Sequence, residues 1–235
     1  MKRLCTICAR GGSKGIPGKN LRPLAGIPLI VHSIRQAQQS GLFEVVAVSS
    51  DSDDILSVAR DAGVDELVRR PADLASDTAA KAPAIRHAVL DVEARRQHSF
   101  ETLVDLCSTS PLRVPSDIEA AVHLLESTDA ANVITGTEAR RSPYFNLVET
   151  RPDGTVGLSK PVDPPLVRRQ DAPVCYDMNA SIYVWRRDVF VEDARVFYPS
   201  TRLMVMPPER SLDIDSPLDF ELVAFLMERA RQGTP

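Results

Sequence analysis

No stretch of this chain approaches eighteen consecutive apolar residues, so nothing in it reads as a membrane span. The apolar run after Lys2-Arg3 is about six residues, too short for the hydrophobic region of a signal peptide. The cytoplasm is therefore the expected compartment. Charge of one sign is also lacking: 28 Lys and Arg stand against 32 Asp and Glu, a formal net charge of -4. That balance offers no basic tail for nucleic acid and no acidic disordered segment, so neither nucleic acid nor a membrane is expected as a partner. Metal-finger chemistry is missing as well. Cys5 and Cys8 have CxxC spacing, but Cys107 and Cys175 stand apart and the four His show no HxxxH spacing. Without a second ligand pair the thiols read as core residues. There is no internal repeat and no low-complexity tract.

What is present suits one sizeable core: 235 residues, 43% hydrophobic. Eighteen prolines fall mostly at element boundaries and across 143–173. Residues 3–9 (RLCTICA) are short, apolar and followed by a Gly-rich turn, which predicts a buried first strand. Leu29, Ile30, Ile34 and Ala37 have helical spacing within 27–40, and Gly41 is a stop signal. A strand follows at 44–50, then a short helix after Ser52 that ends at Gly63, a small strand at 65–69, a helix over 80–97 and a strand at 102–108. Ser116-Asp117-Ile118-Glu119, with Pro115 before it, has the form of a capping box opening another helix. Strands are predicted at 131–137, 180–186 and 202–206. A final helix is capped by Ser216 with Pro217 at its first position. Alternating strands and helices argue an α/β fold with a mostly parallel sheet. The pattern breaks from 138 to 178, where Pro152-Asp153-Gly154 predicts a turn between NLVET and TVGLS. This divides the chain into a core of 1–137 and 179–235 and an inserted antiparallel arm of 138–178.

Four constellations carry chemistry. The first is ARGGSKGIPGKN at 9–20, between the first strand and the first helix. Ligands of open α/β sheets bind beyond the carboxyl ends of the strands, which is where this loop falls. Gly11 and Gly12 permit close approach of backbone N–H groups, and Arg10, Lys14 and Lys19 add positive charge, so a triphosphate is the natural guest. The loop is neither a Walker A motif nor a GxGxxG fingerprint. The second is Ser211-Leu212-Asp213-Ile214-Asp215. In an extended segment Asp213 and Asp215 point one way and Ile214 the other, which presents two carboxylates suited to Mg²⁺ beside phosphates. The third is 105–113, where Thr109, Ser110 and Arg113 have the donors to bind a polyol or a carboxylate. The fourth is Arg168-Arg169, two guanidiniums suited to carboxylate capture.

These constellations, in this order, resemble the acylneuraminate cytidylyltransferases, the CMP-sialic acid synthetases. The loop at 9–20 is similar to that family's ARxxSKGxxxKN, and RPADLASDTA at 70–79 to its RPxxLAxDTA. STSPLR at 108–113, NASIYVW at 179–185 and SLDIDSPLDF at 211–220 match three further segments. The resemblance implies a Rossmann-like, mostly parallel sheet flanked by helices, of the nucleotide-diphospho-sugar transferase type, with a small antiparallel dimerisation arm. It implies a reaction of CTP with an acidic nine-carbon sugar, giving a CMP-nonulosonic acid and pyrophosphate. Arg10, Gly11, Gly12, Ser13, Lys19 and Asn20 would hold CTP, with Arg70, Asp77 and Thr78 framing the cytidine. Asp213 and Asp215 would hold Mg²⁺ (or Mn²⁺). Arg10, Lys19 and the two aspartates are the expected catalytic set. Thr109, Ser110, Arg113, Arg169 and Asn179 would meet the sugar. A homodimer is implied, with Phe197-Tyr198 covering the partner's sugar pocket.

Two departures fall on the sugar side: Cys107-Ser108 stands where the family often has Gln-Pro, and Pro143-Tyr144-Phe145-Asn146 replaces its Pro-Leu-Lys. N-acetylneuraminic acid, legionaminic acid and KDN therefore all remain candidate sugars. A KDO-type enzyme would carry Ser-Thr-Arg in place of Ser13-Lys14-Gly15. A related glycosyltransferase would want an Asp-x-Asp near mid-chain. A non-catalytic homologue would have lost part of the set Arg10, Lys19, Asp213 and Asp215. His32, His87, His98 and His123 all fall in helical stretches, so no dedicated general base is evident.

Overall fold

The first strand, β1 (Arg3–Cys8), is central in the computed structural model, which describes residues 1–12, 15–76 and 78–232. Ser13, Lys14 and Asp77 lie outside the described residues. Alternate side chains of β1 enter two different layers. Cys5 and Ile7 face one, Leu4 the other, and all three are fully buried. After β1 come a two-residue pairing of β2 (Pro23–Leu24) with β3 (Ile27–Pro28), then α1 (Leu29–Ser40), β4 (Val45–Ser50), α2 (Asp53–Asp61) and β5 (Glu66–Arg69). The chain continues through α3 (Lys81–Arg96), β6 (Thr102–Leu106), α4 (Pro115–Glu126) and β7 (Asn132–Glu138). The hairpin β8 (Val148–Thr150) and β9 (Val156–Leu158) follows. The chain ends with β10 (Tyr176–Arg186), α5 (Arg187–Glu192), β11 (Arg202–Val205) and α6 (Pro217–Arg231).

Among the described residues, seven strands form the main sheet in the order β11-β7-β10-β6-β1-β4-β5. β10 is antiparallel to both of its neighbours, and every other pairing is parallel. The carboxyl ends of β1, β4, β6 and β7 therefore share one edge. α1, α2 and α4 pack on the face of Cys5, Ile7, Val104 and Val184, while α3 and Phe190 of α5 cover Leu4, Leu103, Tyr183 and Trp185. A third cluster joins Ile16 of the loop after β1 to Ile214 and to Phe220 and Val223 of α6.

Local signals place the ends of the elements. Ser52 caps α2 by accepting from the Ile55 amide, Gly41 ends α1 at φ 63, and Ser216 and Asp219 form a capping box at α6. The start of α4 differs from expectation. Pro115 is the first helical residue, and Asp117 rather than Ser116 does the capping, its carboxylate accepting from the Val114 amide at 2.9 Å. Pro115 has no N–H to lose, so the helix begins two residues earlier than a cap at Ser116 would allow. The chain leaves the sheet after β7, where the Ala139 amide bonds the Cys175 carbonyl at 2.8 Å. The intervening arm carries β8 and β9, paired antiparallel.

Arg113 joins three elements from inside. It is 1% exposed. Nη1 donates to Ser181 O at 2.9 Å and Ser181 Oγ at 3.2 Å on β10. Nη2 donates to Cys107 O at 2.7 Å and to Ser33 Oγ of α1. Burial pushes its pKa down to about 10. The expectation that Arg113 meets a sugar is corrected by this placement: its donors hold the loop after β6 to α1 and β10. Arg113→Met removes the donor to the Ser33 and Ser181 hydroxyls and one of two donors to the Cys107 and Ser181 carbonyls. It is expected to cost about 2–4 kcal/mol of stability, because buried polar groups that lose partners keep their desolvation penalty. Urea denaturation measures this; an unchanged midpoint would contradict the assignment.

Candidate functional site

A cleft of about 350 Å³ opens at the carboxyl edge of β1 and β6. Arg10, Gly12, Lys19 and Asn20 line one side of it. Arg70, Ser76, Ala79, Ala80 and Lys81 line another, and Cys107, Ser108 and Thr109 close it near β6. Asn20 is 7% exposed and fixes the loop from within. Its Nδ2 donates to Arg10 O at 3.1 Å, and its Oδ1 accepts from Ser108 Oγ at 2.8 Å. The Gly11 amide donates to Asp51 Oδ1 at 2.9 Å, which ties the loop to the end of β4. Arg10 Nη1 reaches Ser76 O at 3.3 Å across the cleft. Arg70 lies against β4, donating to Ser49 O at 2.9 Å and Ser49 Oγ at 3.3 Å. Thr78 is at the exposed rim, 3.4 Å from Ser76 Oγ.

The loop and the acidic segment, far apart in sequence, meet at one point. A Cβ built on Gly15 would lie 2.2 Å from the Asp215 carbonyl oxygen, so the two backbones touch there and only glycine fits. Lys19 Nζ donates to the Ile214 carbonyl and lies 3.3 Å from Asp215 Oδ1. Gly18, at φ 65, turns the chain into the short helical turn that carries Lys19 and Asn20. Ile214 is fully buried against Ile16, which contributes about 1.5–3 kcal/mol to holding the segments together. Asp213 and Asp215 flank Ile214, with Asp215 80% exposed at its side chain. Asp213 Oδ1 accepts from Ser110 Oγ at 3.3 Å.

The sugar-side expectations distribute differently. Thr109 lines the cleft, its Oγ1 3.0 Å from Cys107 Sγ. Ser110 and Asn179 are buried. Ser110 supports Asp213. Asn179 accepts from Thr135 Oγ1 at 2.6 Å and donates to Ser211 Oγ at 3.0 Å, which steadies the start of the acidic segment. Arg169 lies in a separate cavity of about 320 Å³ beyond β7, lined also by Glu138, Arg141 and Ser142, and its Nη2 donates to Ala139 O at 3.2 Å. Arg168 is held by Asp171 through two contacts of 2.9 Å. Phe197 is exposed, but Tyr198 is 9% exposed, with its hydroxyl donating to Asp193 O at 2.5 Å within its own chain. The expectation that Tyr198 covers a partner's pocket is corrected accordingly.

Sequence reading missed Lys81, whose Nζ lies in the cleft 2.9 Å from the fully buried Asp105 carboxylate. The available signal was electrostatic: a lysine on the first residue of a helix opposes the positive end of the helix dipole and needs compensation.

Residues 4–229 match the sequence model of the Cytidylyltransferase family. The chain belongs to the cytidylyltransferase family. Among its relatives is a Campylobacter jejuni protein named CMP-N,N'-diacetyllegionaminic acid synthase, 47% identical over 95% of this chain and 94% of that one. A Campylobacter coli protein named Post-translational flagellin modification protein B is 44% identical over 96% of this chain and 94% of that one. The solved structure of a CMP:2-keto-3-deoxy-manno-octonic acid synthetase complexed with CTP shares the fold. Its TM-score is 0.68 at 18% identity, covering 98% of this chain and 100% of that one.

For this cytidylyltransferase, Gly15→Ala is expected to drive the loop after β1 off the acidic segment. Cytidylyl transfer is expected to fall about 100-fold, the scale of a 1 Å misplacement, with the melting temperature within a few degrees of wild type. Retained activity with the alanine in place would show that the contact is not functional.

Proposed function

We propose that this nucleotidyltransferase joins CMP from CTP to a nine-carbon 2-keto acid sugar and releases pyrophosphate. N,N'-diacetyllegionaminic acid is the first candidate sugar, on the strength of the 47% identical relative. The observation that carries the reading is the contact of the Gly15–Lys19 loop with Ile214 and Asp215. It sets the Lys19 cation beside the Asp215 carboxylate at the sheet edge, with Asp213 two residues before it on the same segment. The anomeric hydroxyl oxygen attacks the α-phosphorus, the bond from that phosphorus to the bridging oxygen breaks, and pyrophosphate leaves. The hydroxyl proton passes to solvent.

Arg10 and Lys19 stabilise phosphate charge, with Gly11, Gly12 and Ser13 supplying loop donors. Asn20 keeps the loop open for the nucleotide. Arg70, Asp77 and Thr78 frame the cytidine. The work is positioning and charge neutralisation in the cleft. The fold family implies Mg²⁺ (or Mn²⁺), and the donor set fits it: Asp213 and Asp215 are hard oxygen donors on either side of a buried Ile214, and Asp215 already attracts a lysine cation. These two residues would hold the ion, which when bound neutralises phosphate charge. On the sugar side Thr109 offers a hydroxyl, and Arg169 suits the carboxylate.

The protein is proposed to act as a homodimer built through the arm. Val148, Val156, Val167 and Val174 there are all more than half exposed, an apolar surface that a second copy would cover. Among the described residues no helix is long and apolar enough to cross a membrane. A cytoplasmic reaction is part of this proposal.

Pyrophosphate release with CTP and Mg²⁺ tests the reading against legionaminic, N-acetylneuraminic, pseudaminic and deaminated neuraminic (KDN) acids and the eight-carbon KDO. Turnover with a nine-carbon acid is expected. Turnover with KDO alone, or with none while CTP binds, would overturn it. In the same assay Asp213→Asn is expected to lower kcat about 100-fold without recovery in excess Mg²⁺. A near-normal kcat would remove Asp213 from the catalytic set.

A further inference from the structure

Helix α3 starts at Lys81, and its N-cap residue, Ala80, supplies no side-chain cap. A cation there opposes the helix dipole by about 0.3–1 kcal/mol, so its placement needs a reason. The ammonium lies 2.9 Å from Asp105 Oδ2 and 4.9 Å from the centre of the Tyr183 ring. Asp105 is fully buried on β6, and its other oxygen accepts from Thr6 Oγ1 of β1 at 2.9 Å. A pair that served only to fasten α3 to the sheet would bury both ends. Here the Lys81 side chain stays 35% exposed and lines the cleft beside Cys107 and Ala180. An ammonium has three donors. Asp105 takes one side and the ring face another, which leaves the remaining side to the cleft. Burial opposes the charge, but the Asp105 carboxylate outweighs it and holds the pKa above the ordinary lysine range. Lys81 is therefore a permanent cation, unsuited to accept a proton.

We propose that Lys81 is a substrate-binding residue of the cleft, taking an anionic oxygen of a bound phosphate or carboxylate, with Asp105 as the residue that positions it. The cleft then has cations on two walls: Arg10 and Lys19 on the loop after β1, and Arg70 and Lys81 on the wall formed by residues 70–81. This inference rests on the cytidylyl-transfer reading, which wild-type turnover in the same assay tests separately.

The test compares wild type, Lys81→Gln and Lys81→Arg. Glutamine removes the charge at similar length, and arginine restores it. CTP affinity is measured by calorimetry without sugar, and kcat and KM for the turned-over sugar are measured at saturating CTP. Lys81→Gln is expected to lower kcat/KM about 10–100-fold, the scale of one hydrogen bond to a charged group, and Lys81→Arg to recover much of it. Weakened CTP binding identifies a phosphate as the partner. Unchanged CTP binding with a raised sugar KM identifies the carboxylate. If Lys81→Gln does not fold, the double variant Lys81→Gln with Asp105→Asn removes both charges and is read in the same way. A folded variant with wild-type CTP affinity and wild-type kcat/KM for the sugar would overturn the proposal and leave Lys81 and Asp105 as a structural pair.

Discussion

The contact between Gly15 and the Asp215 carbonyl holds the account together. It closes a gap of 200 residues in the chain and leaves no room for a β-carbon. Lys19 reinforces it by bonding the Ile214 carbonyl, and Ile16 and Ile214 share one apolar cluster beneath it. The loop is thus not a free turn waiting for a ligand. It is clamped at its start by Asp51, in its middle to the acidic segment at Gly15, and at its end by Asn20 to Arg10 and Ser108. The Gly15 contact, the Ile16–Ile214 cluster and Asn20 fix the loop's shape, whereas Lys19 and the Gly11 amide are groups that a bound polyphosphate would share with their clamps.

The antiparallel β10 explains where the second substrate can go. Its N-terminal end shares the edge where β6 and β7 end, and the arm departs from that edge. Two depressions result: the main cleft at β1 and β6, and the Arg169 cavity beyond β7. Buried polar side chains brace the ground between them. Arg113 ties the loop after β6 to α1 and β10, and Asn179 ties β10 to β7 and Ser211. Such networks act at a distance by keeping Thr109, Ser110 and Asp213 in register.

Most elements were legible because their signals are local. Apolar alternation marks β1, the Ser216-Pro217 start marks α6, and the Pro152-Asp153-Gly154 turn marks the hairpin. The loop and the acidic pair were legible as types of chemistry. Their meeting was not, because Gly15 looks like any flexible glycine until Asp215 arrives against it. Arg113 and Asn179 failed in the same way. A polar side chain in a motif reads as a ligand contact, and only tertiary placement shows that its hydrogen bonds are taken inside. Ser116 was misread because Ser-x-x-Glu fits a cap as well as Asp117 does, and Pro115 decides between them. Lys81 was passed over since its partner, Asp105, lies on a different element.

A crystal structure of the protein with CTP and Mg²⁺ tests the central claim most directly. The account predicts the triphosphate against the 10–19 loop, within reach of Arg10 and Lys19, with Asp213 and Asp215 beside it and the base toward Arg70 and Ala79-Ala80. A triphosphate seated in the Arg169 cavity, or bound with the loop and the 211–215 segment apart, would contradict it.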